Sequence, residues 1–221
     1  MASTRIPRPL DPVEIRVLGV LLEKEQITPE VCPLTVNALL AGCNQKTNRE
    51  PVMELTEGQV VEALERLRQD VLVWRSEGAR SERWQQSVVR RWGLDRAGKA
   101  LMAILLLRGA QTVGELRTRS ERMHSFAAIE EVEQALERMA GIDEPLVAEQ
   151  PRRPGQKETR WRHLVGETPE PPAPPERQRR ELAEPPEVQP GRPSLAERVA
   201  RLEETVQQLA AAVAELKSLL S

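Results

Sequence analysis

The residues with most scope for metal or nucleophilic chemistry in this 221-residue chain are two cysteines and two histidines, and their spacing denies it. Cys32 and Cys43 have ten residues between them, while His124 and His163 lie far downstream. Neither pair has the short spacing of zinc ligands, so no metal is expected. A nucleophilic Cys43 would need an oriented base, and no histidine is near it in sequence. It reads instead as a small buried thiol on a helix. No glycine-rich loop of the phosphate-cradling types is present, so no nucleotide or other cofactor is expected. The carboxylates fall on Glu-rich helices at spacings that wet an exposed face. The pattern points away from an enzyme.

What remains is basic and amide chemistry. Asn44, Gln45, Lys46, Asn48 and Arg49 form a dense cluster. Such side chains read base edges, and they equally make turn hydrogen bonds and helix stops. A second cluster, Arg152, Arg153, Lys157, Arg160 and Arg162, faces only Glu158 and is locally positive. A weaker one holds Arg80 and Arg83 among Arg75, Arg90 and Arg91, set against Glu77 and Glu82. Arginines on a hairpin can grip a phosphate backbone or enter a minor groove. They can also belong to solvated turns. Net charge is −2, so any basic surface must be local.

The elements that must carry these residues occur twice. Val60, Ala63, Leu64 and Leu67 match Val132, Ala135, Leu136 and Met139, seventy-two residues on. Both sets fall at i, i+3, i+4 and i+7, one apolar stripe on a helix. Each helix then runs into a β-prone stretch, Val71–Trp74 and Leu146–Val147. Working outward, the first copy predicts helices from Asp11-Pro12 to about Lys24, over Leu34–Asn44, and from the Thr56/Gln59 capping box onward. A strand Val71–Arg75, a turn Ser76–Glu82 and a return strand Arg83–Arg91 follow. The second copy predicts helices from Asp95 through Leu107, over Val113–Arg122 behind the Thr112/Glu115 box, and over Ala128–Ala140 up to Gly141. Its hairpin is Leu146–Gln150 with Glu158–Val165. From the first helix to the third, copy one has twelve more residues, not placeable between Glu25–Pro33 and Lys46–Leu55. Three helices with a hairpin is the winged-helix variant of the helix-turn-helix plan. The fold class is mainly α (α+β), with tandem domains at 11–93 and 94–165 behind a disordered 1–10.

Winged helices commonly lay the third helix in the major groove. Here that face carries Glu57, Glu62, Glu65 and Asp70, then Glu130, Glu131, Glu133 and Glu137, which phosphates would repel. Trp84 and Trp161, each within an outer hairpin strand, are expected to pin the hairpins rather than stack on bases.

Residues 166–193 hold nine of the 18 prolines and read as an unpacked linker. From Ser194 a final helix repeats Leu195, Val199, Leu202, Val206, Leu209, Val213, Leu216 and Leu220 at spacings of four and three. Leu at d with mostly Val at a favours a parallel two-stranded coil, hence a homodimer; the other reading folds this helix onto the domains. The longest apolar run, Ala100–Leu107, is eight residues, too short to span a membrane. Two cysteines build no disulfide scaffold, and the start of the chain lacks a secretory stretch, so the expected compartment is the cytoplasm.

Several stretches resemble the YceH family of bacterial proteins: Pro33–Leu40, Cys43–Met53, Leu106–Arg117, Ser120–His124, and Leu146 with Pro151–Gly155. The resemblance covers about residues 11–165 and implies tandem winged helices without an established activity. Two departures stand out. The first wing reads Ser76-Glu-Gly-Ala-Arg-Ser-Glu-Arg-Trp84 where the family has a glycine-aromatic-glycine type of turn and a tyrosine-containing return strand. Trp161 stands where the family tends to have tyrosine.

The resulting expectation is a DNA-associated regulator that contacts double-stranded DNA through its arginine-rich hairpins. The alternative is an adaptor whose winged-helix surfaces bind a protein partner, which acidic third helices would suit.

Overall fold

The structure, a computed structural model, describes residues 4–76, 82–152 and 158–166, together with Glu204 and Gln208. Two helices carry its centre. The first, α1 (Pro12–Ile27), starts at a capping box: the Asp11 carboxylate accepts from Val13 and Glu14 backbone N–H, while Glu14 reaches back to Asp11. Residues 14–23 are all buried, as are residues 100–107 of α5 (Arg96–Arg108). A helix apolar on every side needs cover on every side, and these two cover each other. Gly19 permits the approach, since a Cβ there would stand 2.8 Å from Leu107.

Around α1 the first half adds a 3-10 turn at Pro29–Val31, β1 (Leu34–Thr35), α2 (Val36–Cys43) and α3 (Glu57–Gln69). Then come β2 (Val73–Ser76), β3 (Arg83–Gln86) and α4 (Val88–Trp92). The antiparallel sheet runs β1-β3-β2. Around α5 the second half adds α6 (Val113–Ser120), α7 (Ile129–Ala140), β4 (Val147–Gln150) and β5 (Arg160–His163), the last two an antiparallel pair.

The segments near 60 and 132 sit in like surroundings. Val60, Ala63, Leu64 and Leu67 are buried, and so are Val132, Ala135, Leu136 and Met139. Leu72 N–H donates to Leu67 O at 2.9 Å, and Leu146 N–H to Met139 O at 3.0 Å. Ser87 N–H donates to Leu72 O at 2.9 Å, and Leu164 N–H to Leu146 O at 2.8 Å. Leu34 pairs with Trp84, while Gln111 bridges Trp161. The hairpins are therefore in register, Val73 with Val147 and Trp84 with Trp161.

The buried apolar side chains of both halves form one continuous cluster, from Leu10 through α1 and α5 to Val165. The expected boundary falls at Gly93, the left-handed cap that ends α4 (φ 68°), yet the halves beside it share a dry core.

Three local expectations change. The helix expected from Leu34 begins at Val36, because Leu34 and Thr35 pair with β3 and the Thr35 hydroxyl then caps α2. The return strand expected to reach Arg91 stops at Gln86. There the Gln86 side chain accepts from Val89 N–H at 3.0 Å, and α4 buries Val88 and Trp92 one turn apart. Residues 4–10, expected as a disordered lead, are tied to both halves instead. Leu10 is buried and donates to Val165 O at 2.9 Å, Arg91 donates to Thr4 O, and Trp92 Nε1 donates to Arg5 O at 3.0 Å. The extra residues of the first half are divided among a longer α1, the α1–α2 connection and the α2–α3 loop. The linker beyond Gly166 and the whole Leu/Val seam from Leu195 to Leu220 lie outside the described residues.

Candidate nucleic-acid interface

The amide-rich cluster after α2 works mostly inward. The Asn44 side chain closes the 44–56 loop, donating to Leu55 O and accepting from Leu55 N–H, both at 2.8 Å. Arg49 is buried, and its guanidinium donates to Gly42 O at 2.9 Å and to the two Glu23 oxygens at 3.1 and 2.6 Å. Asn48 takes a left-handed backbone (φ 62°) and accepts from Arg108. As base readers, Asn44, Asn48 and Arg49 are therefore already engaged. A long loop laid over a core must satisfy its own backbone groups, and these side chains do it. Lys46 is exposed and Gln45 half-buried. Beneath them Arg16 is also buried, donating to Cys43 O at 3.0 Å and Pro51 O at 2.5 Å. Burial, reinforced by the nearby Arg49 charge, pulls its pKa down to about 10. Cys43 is buried on α2 as expected, and burial pushes its thiol up to about 12.

The hairpins divide their arginines. Trp84 (1% exposed) and Trp161 (9%) point into the core and pin each hairpin, as the sequence suggested. Trp74 on the edge strand β2 points outward at 55%. Arg83 donates to Pro33 O at 2.9 Å. Arg160 donates to Ala110 O and to Glu115 Oε2, each at 2.9 Å. Both thus brace their hairpins from within. Arg152 is exposed and Arg162 half-exposed, and among the described residues neither pairs with a carboxylate. Arg80, Arg153 and Lys157 lie outside the described residues.

The third helices are acidic or neutralised outward. On α3, Arg66 is held by Asp11, by Glu14 at 3.1 Å and by Glu62 at 2.7 Å, and Arg68 is held by Glu65 at 2.8 Å. On α7, Glu130, Glu131, Glu133 and Glu137 are exposed, while Arg138 is taken by Asp95 at 3.0 Å. A phosphate approaching α7 meets like charge.

One network had no signal in residue spacing. The buried Glu14 accepts from Arg8 at 2.5 Å as well as from Arg66, and Arg8 also reaches Asp70 at 2.8 Å. Although burial opposes ionisation, the hydrogen bonds from Arg8, Asp11 N–H and Arg66 outweigh it and lower the Glu14 pKa. The hint in the sequence was a pair of charges, Glu14 and Arg16, set among Val13, Ile15, Val17 and Leu18 in the first turns of α1. Among the described residues no group of three or more His, Cys, Asp or Glu is placed to hold a metal, and no helix is long and apolar enough to cross a membrane.

Comparison with known proteins agrees with the motifs. The model of the family described as "Protein of unknown function, DUF480" matches residues 10–156. A UPF0502 protein of Azoarcus sp. strain BH72 is 48% identical over 211 residues, covering 95% of this chain and 90% of its own length. A UPF0502 protein of Paraburkholderia phymatum is 47% identical over 163 residues, covering 72% and 70%. One of Geobacter sulfurreducens is 49% identical over 162 residues, covering 73% and 74%. The chain belongs to the DUF480 family of proteins of unknown function, the UPF0502 group that its motifs resemble under the name YceH.

Proposed function

We propose that this protein is a non-enzymatic, DNA-associated regulator. In this reading each half is a winged helix that approaches duplex DNA with its hairpin rather than with its third helix. The observation that carries it is the separation of charge in the second half. On β5, Trp161 and His163 turn inward, leaving Arg162 on the outer face of the hairpin that also carries the exposed Arg152, while α7 presents carboxylates. Arginine forks on a hairpin suit phosphate oxygens. The Leu/Val seam of residues 195–220 supports pairing of two chains, which raises the effective concentration of the second contact.

The test is a mobility shift with full-length protein and duplex DNA at about 50 mM salt, where charge-driven binding is strong. Wild type is retained and released steeply as salt rises, and Arg152→Glu with Arg162→Glu weakens retention by at least tenfold. A second reading, a protein-binding adaptor, is favoured by the exposed acidic face of α7 and by the outward Trp74. Absence of any shift from the intact protein would transfer the assignment to the adaptor.

A further inference from the structure

The corner where the first helix of each half meets the third is filled differently in the two halves. In the first half it is packed with ions. Glu14, fully buried, accepts from Arg8 and from Arg66, while Arg66 also holds Asp11 and Arg8 also holds Asp70. The matching places in the second half follow from the caps and the stripe. Asp95 caps α5 as Asp11 caps α1, so three residues before the cap Arg8 matches Trp92, and three after it Glu14 matches Gly98. Along the repeated stripe Arg66 matches Arg138, and Asp70 matches Ile142. The capping aspartate and its arginine are kept, joined at 3.0 Å. The two carboxylates that Arg8 held are replaced by a hydrogen atom and a sec-butyl group.

What stands there instead is a cavity of about 240 Å³, and Trp92, Asp95, Gly98, Arg138 and Ile142 are all among the residues that line it. The lead segment adds a second cation. Arg5 also lines the cavity, and its backbone is clamped from both halves: its N–H donates to the Glu144 carboxylate and its carbonyl accepts from Trp92 Nε1 at 3.0 Å. Among the described residues the half-buried Arg5 guanidinium has no carboxylate partner. Arg138 has Asp95 alone where Arg66 has Asp11, Glu14 and Glu62. Asp95 is itself committed, since its Oδ1 accepts from Gly98 N–H at 2.6 Å. Arg138 is exposed and Arg5 half-exposed, so solvent reaches both. Two guanidinium groups beside an apolar wall attract an anion whose body is apolar.

We propose that this cavity binds a small carboxylate with an aromatic or branched aliphatic body. The ligand's carboxylate takes the place that the Glu14 side chain holds in the first half, between Arg138 and Arg5, and its body lies against Trp92 and Ile142. The volume sets the size, below the roughly 300–1,000 Å³ of sites for drug-sized molecules. Neither Arg152 nor Arg162 lines the cavity, and the inference does not rest on the DNA reading.

The test is thermal unfolding of the full chain in sodium benzoate or sodium isovalerate, against sodium chloride at matched ionic strength and pH. At least one of the two raises the midpoint, and the rise saturates with concentration. Acetate, which lacks the body, and benzylamine, which lacks the carboxylate, give no such rise. Arg138→Gln abolishes it, whereas Arg152→Glu with Arg162→Glu leaves it intact. Arg5→Gln removes a guanidinium that holds no partner in the protein, and it raises the half-saturating concentration about tenfold even where Arg138→Gln proves too unstable to measure. No saturable rise with either carboxylate, an equal rise with acetate or benzylamine, or a rise unchanged in both Arg138→Gln and Arg5→Gln overturns the proposal.

Discussion

The two halves share a frame and differ in what they load onto it. Each runs a helix with the same buried stripe into a hairpin through the same backbone hydrogen bonds, with a tryptophan at the same register facing inward. The first half spends its additional residues on loops stitched down by Arg49, Glu23, Asn44 and Arg16, so its polar chemistry is turned into the protein. The second half has short connections and leaves Arg152 and Arg162 outside. Facing the core at one register position, the first half has Gln86 and the second His163. A frame fixed by apolar spacing tolerates such divergence because loops and outward strand positions contribute little to the core.

Four measurements sharpen or break that comparison. The largest effect is expected from Glu23→Ala, which leaves the fully buried Arg49 guanidinium without its carboxylate. The cost is about 3–5 kcal/mol in denaturant unfolding. A loss below about 1 kcal/mol would mean that the first half's loops are not held from within.

The Gln86/His163 difference predicts a pH dependence from the second half alone. Burial, with a smaller contribution from Arg162, lowers the His163 pKa from 6.5 to about 4. The unfolded chain therefore takes up a proton in this window and the folded one does not. Stability is unaffected by this group above about pH 6.5 and falls as pH drops towards 4, by about 3 kcal/mol in all. His163→Gln, which copies the first half, removes that slope. An unchanged profile would place the acid sensitivity elsewhere.

Where the halves meet, Gly19→Ala pushes a methyl to 2.8 Å from Leu107 and should cost about 1–3 kcal/mol. A neutral result would show that α1 and α5 slide without penalty. The smallest effect distinguishes matching caps. Thr112→Ala removes a hydroxyl that works in a box with Glu115, and Thr35→Ala removes one that caps α2 alone. Each should cost about 1 kcal/mol, Thr112→Ala the more, read as a shift in thermal midpoint.

Much of the frame was legible because it rests on local rules. The boxes at Thr56/Gln59 and Thr112/Glu115, the Asp95 cap and the Gly141 stop are set by residues within one turn of each other. The candidate interface was legible only as composition. That Arg83 and Arg160 brace their hairpins, or that Arg49 is buried, depends on Pro33, Glu115 and Glu23, which spacing does not connect to them. The short α4 was hidden for a related reason. Val88 and Trp92 suit a strand or a helix, and the Gln86 side chain decided between them.

By itself the sequence determined the order of the longer helices and the two hairpins, and the repeated stripe with its spacing, because periodicity and capping act between near neighbours along the chain. Only the tertiary structure decided that α1 and α5 fuse the halves over one core, and that the lead segment stitches them together. It also decided which arginines remain outside. Such choices follow from burial and from charges that meet across dozens of residues, where the energy belongs to the contact and not to either residue alone.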